Sequence, residues 1–311
     1  MKDKMKYMEA TTELELAQNK FSIRDLENLT GIKAHTLRIW EQRYQIIVPK
    51  RTATNIRYYD ATDLKLALQI SMLNNYGYKI SKIKSMTEEN ITSLLSKIND
   101  PKFKLEAIVN DLISYTIDLD TVAIEKTIQS FIDKNGIPQL IEELLFHFLE
   151  KIGIMWMTNR LNPAQEHLTS NIITRKIAVA YEQLSIPVSK DSKVLLFLPE
   201  GEIHDLALLY VQYLLKAQGV ENIYLGANTP IKDAIYVCQV KAPTHVYIHL
   251  TSVTDSFDVK RFIEIAHKSF PTAQVLVSGS LLKGKKLKLY KNIKYLFSLS
   301  DVKSAIYNNL I

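Results

Sequence analysis

The spacing of apolar residues changes several times along the chain, and each change predicts a different kind of structure. From residue 21 onward, apolar positions recur at helical spacing in two short runs. Ser22 precedes the first run and predicts an N-cap, and Gly31 after it predicts a tight turn with a positive φ angle. Residues 33–44 predict the second helix. Two short helices around a glycine turn are typical of a helix-turn-helix.

A basic segment with a different pattern follows these two helices. Residues 49–59 are rich in lysine and arginine, end in two tyrosines and predict a short β-ribbon. Residues 60–86 predict two further amphipathic helices, separated at Tyr76-Gly77-Tyr78. We interpret the ribbon as the wing of a winged helix-turn-helix domain.

The middle of the chain predicts a helical bundle. Between residues 102 and 184, long apolar-periodic runs are interrupted at Asp118–Asp120, at Asn135-Gly136-Ile137-Pro138 and at Asn162-Pro163. These interruptions divide the segment into four helices of bundle length, with Pro163 at the start of the last one.

Beyond residue 192, short apolar runs alternate with helical stretches. The predicted strands are Lys193–Leu198, Asn222–Leu225, His245–Ser252, Gln274–Ser278 and Tyr295–Leu299, and helices are predicted to begin near Asp205, Ile231, Asp258 and Asp301. This alternation predicts a parallel, doubly wound sheet of the flavodoxin-like kind. The predicted fold class is multi-domain α and α/β, with a tail at 1–20, a winged helix-turn-helix domain at 21–100, a four-helix bundle at 101–187 and a flavodoxin-like domain at 188–311.

Composition and charge narrow the classes of function. Apolar residues make up 47% of the 311-residue chain, and the single cysteine, Cys238, excludes an intrachain disulfide and a thiolate metal cluster. Without the pattern of a signal peptide or a membrane span, we expect a soluble, cytoplasmic protein. The net charge of +6 is concentrated toward the two ends and permits nucleic-acid binding. Because no catalytic triad, phosphate-binding loop or metalloprotease motif is present, we do not predict an enzyme.

Residues in the second half of the chain carry candidate chemistry. Trp156 is followed after nine residues by Glu166-His167, and Glu202-Ile203-His204 lies just beyond the first predicted strand of the sheet. Ligands of doubly wound sheets bind at the carboxyl ends of strands, where the strand order reverses. A buried aromatic ring, two imidazoles and two carboxylates at these intervals could surround a large flat cofactor whose metal accepts a histidine. We therefore interpret the protein as a sensor domain joined to a DNA-binding domain.

The N-terminal part resembles a known family of regulators. The stretches Leu37–Arg51 and Arg57–Leu64 are similar to the winged-helix domain of MerR-family proteins, and the resemblance covers about residues 21–86. It implies a homo-oligomer, dimer or tetramer, on double-stranded promoter DNA, with RNA polymerase as a further candidate partner. The second helix would lie in the major groove and the wing on the flanking backbone. The residues that would contact DNA are Arg38, Arg43, Tyr44, Lys50, Arg51, Arg57 and Tyr58.

From about residue 102 the chain resembles the cobalamin-binding module of methionine synthase and of cobalamin-dependent MerR photoreceptors. The resemblance implies a bound cobalamin, in particular adenosylcobalamin, with His204 as the cobalt ligand from below and Glu202 holding the other ring nitrogen. The upper pocket, in which the tryptophan packs on the adenosyl group, would be formed by Trp156, Glu166 and His167. The remaining cofactor contacts would be Thr251, Ser252 and Gly279.

Four positions depart from the pattern of that family. The glycine after the histidine is Ala207, a supporting serine is His249, and the second of two glycines is Ser280. Met157 stands where light-sensing members have the histidine that captures cobalt after photolysis. Added bulk in such loops opposes close approach of a ligand to the backbone. A MerR-type regulator whose degenerate cobalamin fold serves oligomerisation or protein partners is therefore the alternative, and a corrinoid enzyme or methyl carrier is a third interpretation.

Overall fold

The computed structural model of the protein describes residues 20–253 and 257–308. The described chain forms two compact units, one ending at Ile173 and the other beginning at Thr174. The domain boundaries predicted at residues 100 and 187 stay predictions. The predicted tail lies outside the described residues except for Lys20.

The first unit begins with a helix-turn-helix and a ribbon. Its elements are α1 (Ile23–Thr30), α2 (Ala34–Tyr44), β1 (Lys50–Arg51), β2 (Arg57–Tyr58), α3 (Ala61–Asn75) and α4 (Ile80–Ile83). The Ser22 hydroxyl accepts a hydrogen bond from the Asp25 amide, and the Asp25 carboxylate accepts one from the Ser22 amide, which forms a capping box. Gly31 ends α1 at φ 73°, a conformation that glycine adopts without strain. β1 and β2 pair antiparallel, as expected for a wing.

Helix α5 (Glu88–Lys97) follows α4 and adds to the predicted helices. Thr87 caps this helix, because its hydroxyl accepts a hydrogen bond from the Asn90 amide at 3.2 Å. Ile91 is buried, and the half-buried Leu94 and Leu95 follow it at helical spacing. The sequence therefore carries a short apolar stripe for this helix as well as its cap.

The bundle helices follow in the order that the sequence predicts. They are α6 (Pro101–Ile117), α7 (Thr121–Gln139), a π-helical segment (Leu140–Leu145) that continues into α8 (Phe146–Met157), and α9 (Pro163–Gln183). Gly136, at φ 81° and ψ 174°, interrupts the helical backbone of α7, and Pro138 follows it. The predicted break at this point is therefore confirmed, and so is the start of α9 at Pro163.

Within the first unit the helix-turn-helix domain contacts the bundle directly. Helix α3 lies against α6, and the rings of Tyr76 and Phe103 meet edge to face with their centroids 5.0 Å apart. The buried Asn110 amide on α6 donates to the Met72 sulfur on α3 at 3.1 Å. The same side chain accepts a hydrogen bond from Lys151 Nζ on α8 at 3.0 Å. A polar connection thus runs from α3 through α6 to α8.

The helices bear on the expectation that the chain has no membrane span. The longest described helix, α9, has 21 residues. Among the helices of residues 20–253 and 257–308, none is long and apolar enough to cross a membrane.

The second unit is built around a parallel sheet. Its elements are β3 (Lys193–Pro199), α10 (Leu206–Ala217), β4 (Glu221–Thr229), α11 (Ile231–Lys241), β5 (His245–His249), α12 (Val259–Ser269), β6 (Gln274–Ser278), a 3₁₀ turn (Ser280–Leu282), β7 (Ile293–Leu296) and α13 (Leu299–Tyr307). The strand order is β4-β3-β5-β6-β7, and all pairs are parallel. The strand order therefore reverses between β3 and β5, which is the switch point of a doubly wound sheet. The predicted multi-domain α and α/β fold class is confirmed.

Two predicted strands end earlier in the structure, whereas the strand predicted over Asn222–Leu225 extends to Thr229. The strand predicted to extend to Ser252 ends at His249, because the amides of Thr251 and Ser252 turn away from the sheet and bind a carboxylate in the loop after β3. The strand predicted to end at Leu299 ends at Leu296. Ser298 caps α13, so Leu299 is already helical.

Candidate functional site

The loop after β3 carries a histidine–carboxylate pair at the switch point of the sheet. His204 Nδ1 lies 2.6 Å from Glu202 Oε1, and the His204 amide donates to the same oxygen at 3.0 Å. The Glu202 side chain is fully buried, whereas the His204 side chain is 51% exposed. A carboxylate that accepts from Nδ1 fixes the tautomer in which Nε2 carries the lone pair. Nε2 is therefore the nitrogen through which this ring would bind a metal.

The second oxygen of Glu202 joins this loop to the loop after β5. Glu202 Oε2 accepts hydrogen bonds from the amides of Thr251 and Ser252, both at 2.7 Å. Burial raises the pKa of Glu202, but the hydrogen bonds from His204 and from these two amides outweigh burial and lower the pKa to about 2. The carboxylate is ionised at neutral pH and is held mainly by backbone groups.

Next to this pair, the ends of β5 and β6 carry a chain of hydrogen bonds. His249 Nδ1 lies 2.7 Å from the Ser278 hydroxyl, and that hydroxyl lies 2.6 Å from the Tyr247 hydroxyl. His249 and Ser278 are direct partners in the strand register. Burial lowers the pKa of His249 to about 4, although the charge of Glu202 acts in the opposite direction. The His249 ring is therefore neutral at neutral pH.

The loop after β6 shows why one glycine of the family pattern is kept. Gly279 has φ 115°, and a β-carbon at this residue would collide with the backbone of Leu250. The next residue, Ser280, is exposed, and its hydroxyl donates to the Thr251 carbonyl oxygen at 2.8 Å. Ala207 is half-buried in the first turn of α10. The loops after β5 and β6 are therefore in direct contact.

The residues at this end of the sheet fit the lower half of a cobalamin site. Parallel strands bring their carboxyl ends to one side of a sheet, so the loops after β3, β5 and β6 bring together Glu202, His204, Thr251, Ser252 and Gly279. The Glu202–His204 pair presents one imidazole nitrogen, Nε2 of His204, to a metal. One protein nitrogen suits a metal whose other positions are filled by a flat macrocycle. The buried, ionised carboxylate behind the ring raises the basicity of that nitrogen.

The predicted upper-pocket residues lie in the first unit. Trp156, in the last turn of α8, is 55% exposed, so the expectation of a buried aromatic ring is wrong. The reason is helical geometry: Met155 belongs to the buried face of α8, and Trp156 lies about 100° further around the helix. Met157 is exposed as well. On α9, Glu166 Oε2 lies 3.2 Å from His167 Nδ1, which brings these two predicted residues together.

The predicted DNA contacts lie on α2 and the wing. Arg38 and Arg43 are exposed on α2, and Tyr44 at the end of that helix is half-buried. Tyr58 on the wing is also half-buried, and Lys20 Nζ lies 5.0 Å from the centroid of its ring. Two arginines of the predicted recognition helix are thus accessible to DNA.

The three cations of the wing have polar neighbours in the protein. Lys50 pairs with Asp60 next to the wing, and this bond raises the pKa of Lys50. Arg57 Nε lies 3.7 Å from Glu41 Oε1 on α2. Arg51 donates to a side chain in the turn of the wing at 2.8 Å. All three side chains remain exposed, so they are accessible to phosphate groups.

The fold also brings together residues that sequence reasoning missed. Tyr247 and Ser278 join His249 through strand pairing, which no local motif reveals. Arg160 Nε lies 2.8 Å from Asp25 Oδ2, although 135 positions separate the two residues in the sequence. The only sequence signal for the second pair is that Asp25 belongs to a capping box.

Comparisons with known proteins define the class of this protein. The family model described as "MerR HTH family regulatory protein" matches residues 21–90, and the model described as "B12 binding domain" matches residues 105–181. The chain therefore combines a MerR-type helix-turn-helix domain with a B12-binding domain, which supports a B12-binding transcriptional regulator. The resemblance identified from the sequence is confirmed.

Two relatives are similar to this chain over most of their length. The chain is 24% identical to the HTH-type transcriptional repressor CarA of Myxococcus xanthus over 279 residues, which are 89% of this chain and 90% of that protein. It is 23% identical to the HTH-type transcriptional repressor CarH of the same organism over 224 residues, 70% of this chain and 74% of that protein. The chain is homologous to both.

A solved structure supports the fold over about two thirds of the chain. The monomethylamine corrinoid protein of Methanosarcina barkeri matches with a TM-score of 0.50 at 12% identity and covers 65% of this chain and 98% of that one. At this identity the likeness concerns the fold alone.

Proposed function

We propose that the protein regulates transcription in response to adenosylcobalamin, whose cobalt would be bound by His204. The observation that carries this proposal is the Glu202–His204 pair at the switch point of the sheet, with 2.6 Å between Oε1 and Nδ1. When bound, the cofactor supplies a cobalt ion that accepts one protein ligand and, in the adenosyl form, a cobalt–carbon bond that light can break.

Different residues would orient the metal ligand, hold the orienting carboxylate and contact the adenosyl group. Glu202 orients the His204 ring and keeps Nδ1 protonated, so that Nε2 can bind the metal. The amides of Thr251 and Ser252 hold the carboxylate ionised and in place. Gly279 allows the neighbouring loop to pass close to the backbone of β5. In the bundle, Trp156 and the pair Glu166–His167 are the proposed contacts of the adenosyl group.

We further propose that the regulator acts in the cytoplasm as a homo-oligomer on promoter DNA, with RNA polymerase as a further candidate partner. A single winged helix offers few contacts, and pairing on an inverted repeat doubles them. Repression is the proposed sign of regulation, because both relatives are named as repressors. Adenosylcobalamin can shift an oligomer equilibrium if it makes contacts that hydroxocobalamin lacks. Its exposed aromatic contact, Trp156, suits that role.

The test is an absorption spectrum of the full-length protein mixed with adenosylcobalamin in darkness. The wild type should show the spectrum of a cobalamin whose lower ligand is a protein histidine. His204→Ala should abolish this spectrum and weaken binding. Glu202→Gln should reduce the affinity by roughly 10- to 100-fold, as expected for the partner of a metal ligand. His35→Ala, which removes an exposed histidine of α2, is the matched control and should leave the spectrum unchanged.

Size-exclusion and gel-shift runs with each corrinoid, in darkness and after green light, test the regulatory part. Adenosylcobalamin should change the oligomer and the DNA affinity more than hydroxocobalamin does. If His204→Ala binds adenosylcobalamin as the wild type does, His204 is not the cobalt ligand. Identical profiles with and without every corrinoid would favour the degenerate module that serves oligomerisation or partner binding.

A further inference from the structure

An ion pair inside the first unit connects the bundle to the helix-turn-helix. Arg160 Nε lies 2.8 Å from Asp25 Oδ2, and the two side chains are only 28% and 7% exposed. The same oxygen of Asp25 accepts hydrogen bonds from the Ser22 amide and hydroxyl, both at 2.7 Å. Arg160 therefore binds the carboxylate that caps α1, the first helix of the DNA-binding domain.

The other end of this contact lies beside the proposed upper pocket. Arg160 follows the end of α8 by three residues, and α9 with Glu166 and His167 begins three residues after it. The Arg160 amide donates to the Met155 carbonyl oxygen at 2.8 Å, and the Asn159 amide donates to the Trp156 carbonyl oxygen at 3.0 Å. Two backbone hydrogen bonds thus fix Asn159 and Arg160 to the helical turn that carries Trp156.

The remaining contacts between the two parts of this unit differ in kind. Helix α3 meets α6 through the Tyr76 and Phe103 rings and through the Asn110–Met72 hydrogen bond. Lys151 extends that hydrogen bond to α8, one turn before the turn that carries Trp156. Helices α1 and α8 also touch, and the Arg160–Asp25 pair lies where they meet. An ion pair with one buried member is geometrically demanding, because loss of Arg160 leaves the buried Asp25 charge without its cation. A small displacement of one side is therefore costly.

We propose that Arg160 is a positioning residue that couples the ligand state of the Trp156 pocket to the orientation of the helix-turn-helix. A ligand that displaces the last turn of α8 moves the backbone of Arg160 and thereby shifts or breaks its bond to the α1 cap. The DNA-binding domain then has two arrangements on the bundle, one with the pair formed and one without it. This inference rests on the proposed function, because the displacing ligand is the upper face of a corrinoid.

The experiment measures the coupling ratio, which is the Kd for DNA without corrinoid divided by the Kd for DNA with adenosylcobalamin. Fluorescence anisotropy gives the Kd of the full-length protein for a duplex that the wild type binds, without corrinoid and with saturating adenosylcobalamin in darkness. Allosteric coupling typically changes such a Kd by about 5- to 150-fold. Arg160→Gln should bind adenosylcobalamin with an unchanged spectrum and reduce the coupling ratio by about tenfold or to unity, the effect of one charge-assisted hydrogen bond. Lys134→Gln, which removes an exposed cation from α7, is the control and should keep the ratio.

A double-mutant cycle separates the pair from a general weakening of the protein. Asp25→Asn keeps an oxygen that accepts from the Ser22 amide but removes the charge that Arg160 binds. If the pair carries the coupling, the double variant loses no more coupling than either single variant, whereas independent losses would add. Arg160→Lys, which keeps the charge, should retain part of the ratio. It also supplies the measurement if Arg160→Gln does not fold, as judged by circular dichroism.

The possible outcomes are distinct. A full wild-type ratio in Arg160→Gln, or additive losses in the cycle, would overturn the coupling role and leave the proposed function intact. A wild-type protein that binds adenosylcobalamin without any change in DNA affinity would overturn the coupling and the regulatory part of the proposed function. Failure of the wild type to bind any corrinoid would overturn both proposals.

Discussion

His249 provides a direct test of the sheet end beside the candidate cofactor site. Burial lowers its pKa from 6.5 to about 4, against the opposing charge of Glu202. Because the folded pKa is below the unfolded pKa, the unfolded chain binds the proton first as the pH falls. The stability that neutral His249 contributes is therefore present above about pH 6.5 and is lost as the pH falls toward 4. One pKa unit corresponds to about 1.4 kcal/mol, so the expected loss is about 3 kcal/mol.

His249→Asn isolates this effect, because asparagine can still bond to Ser278 but does not titrate between pH 7 and 4. Urea denaturation at several pH values in that range gives the free energy of unfolding of each protein. The wild type should lose about 3 kcal/mol more than the variant on going from pH 7 to 4, and the contributions of groups shared by both proteins cancel in the comparison. His35→Asn, at an exposed residue of α2, should follow the wild type. Parallel curves for the wild type and His249→Asn would refute the assignment of a buried, neutral ring.

Gly279→Ala should lower the free energy of unfolding by about 3 kcal/mol, because the residue has φ 115° and a β-carbon would meet the Leu250 backbone. Urea denaturation measures the loss, and a value below about 1 kcal/mol would show that the loop relaxes. Arg38→Ala should reduce the slope of log affinity against log salt by about 0.9 if this arginine binds one phosphate. Anisotropy on promoter DNA measures the slope, and an unchanged value removes Arg38 from the interface. Met157→His should give the adenosylcobalamin complex a stable bis-histidine spectrum after green light, which the wild type should lack. A long-lived spectrum of this kind in the wild type would assign capture to another residue, with His167 and His249 as candidates.

Elements with local chemical signals could be predicted from the sequence. The Ser22 cap, the turn at Gly31 and the start of α9 at Pro163 each depend on one residue type at one position, and the structure contains all three. Helix α5 carries such signals too, because Thr87 caps it and Ile91, Leu94 and Leu95 recur at helical spacing. Its apolar stripe is short and two of these three side chains are only half-buried, so its signal is weaker than those of the predicted helices.

The candidate site likewise has one part that local spacing predicts and another part that depends on distant segments of the chain. Glu202 and His204 are two positions apart, so their spacing reveals the pair and the predicted strand before them reveals its place in the sheet. Their supports come from distant segments: the Thr251 amide is 49 positions from Glu202 and becomes a partner only through the pairing of β3 with β5. The 135 positions between Asp25 and Arg160 place that contact beyond any local pattern.

The departures from the family pattern must be weighed against what holds the His204 ring. Glu202 is fixed by the amides of Thr251 and Ser252, and an amide donor is present whatever side chain its residue carries. The change from serine to His249 therefore leaves these donors in place. Because burial keeps His249 neutral at neutral pH, its ring adds no positive charge that would compete with His204 for the carboxylate. Substitutions beside the Glu202–His204 pair can thus alter how the rest of a corrinoid fits without removing the histidine that would bind its cobalt. Binding of corrinoids that share the cobalt but differ in the groups around it would separate a poorer fit from a lost metal ligand.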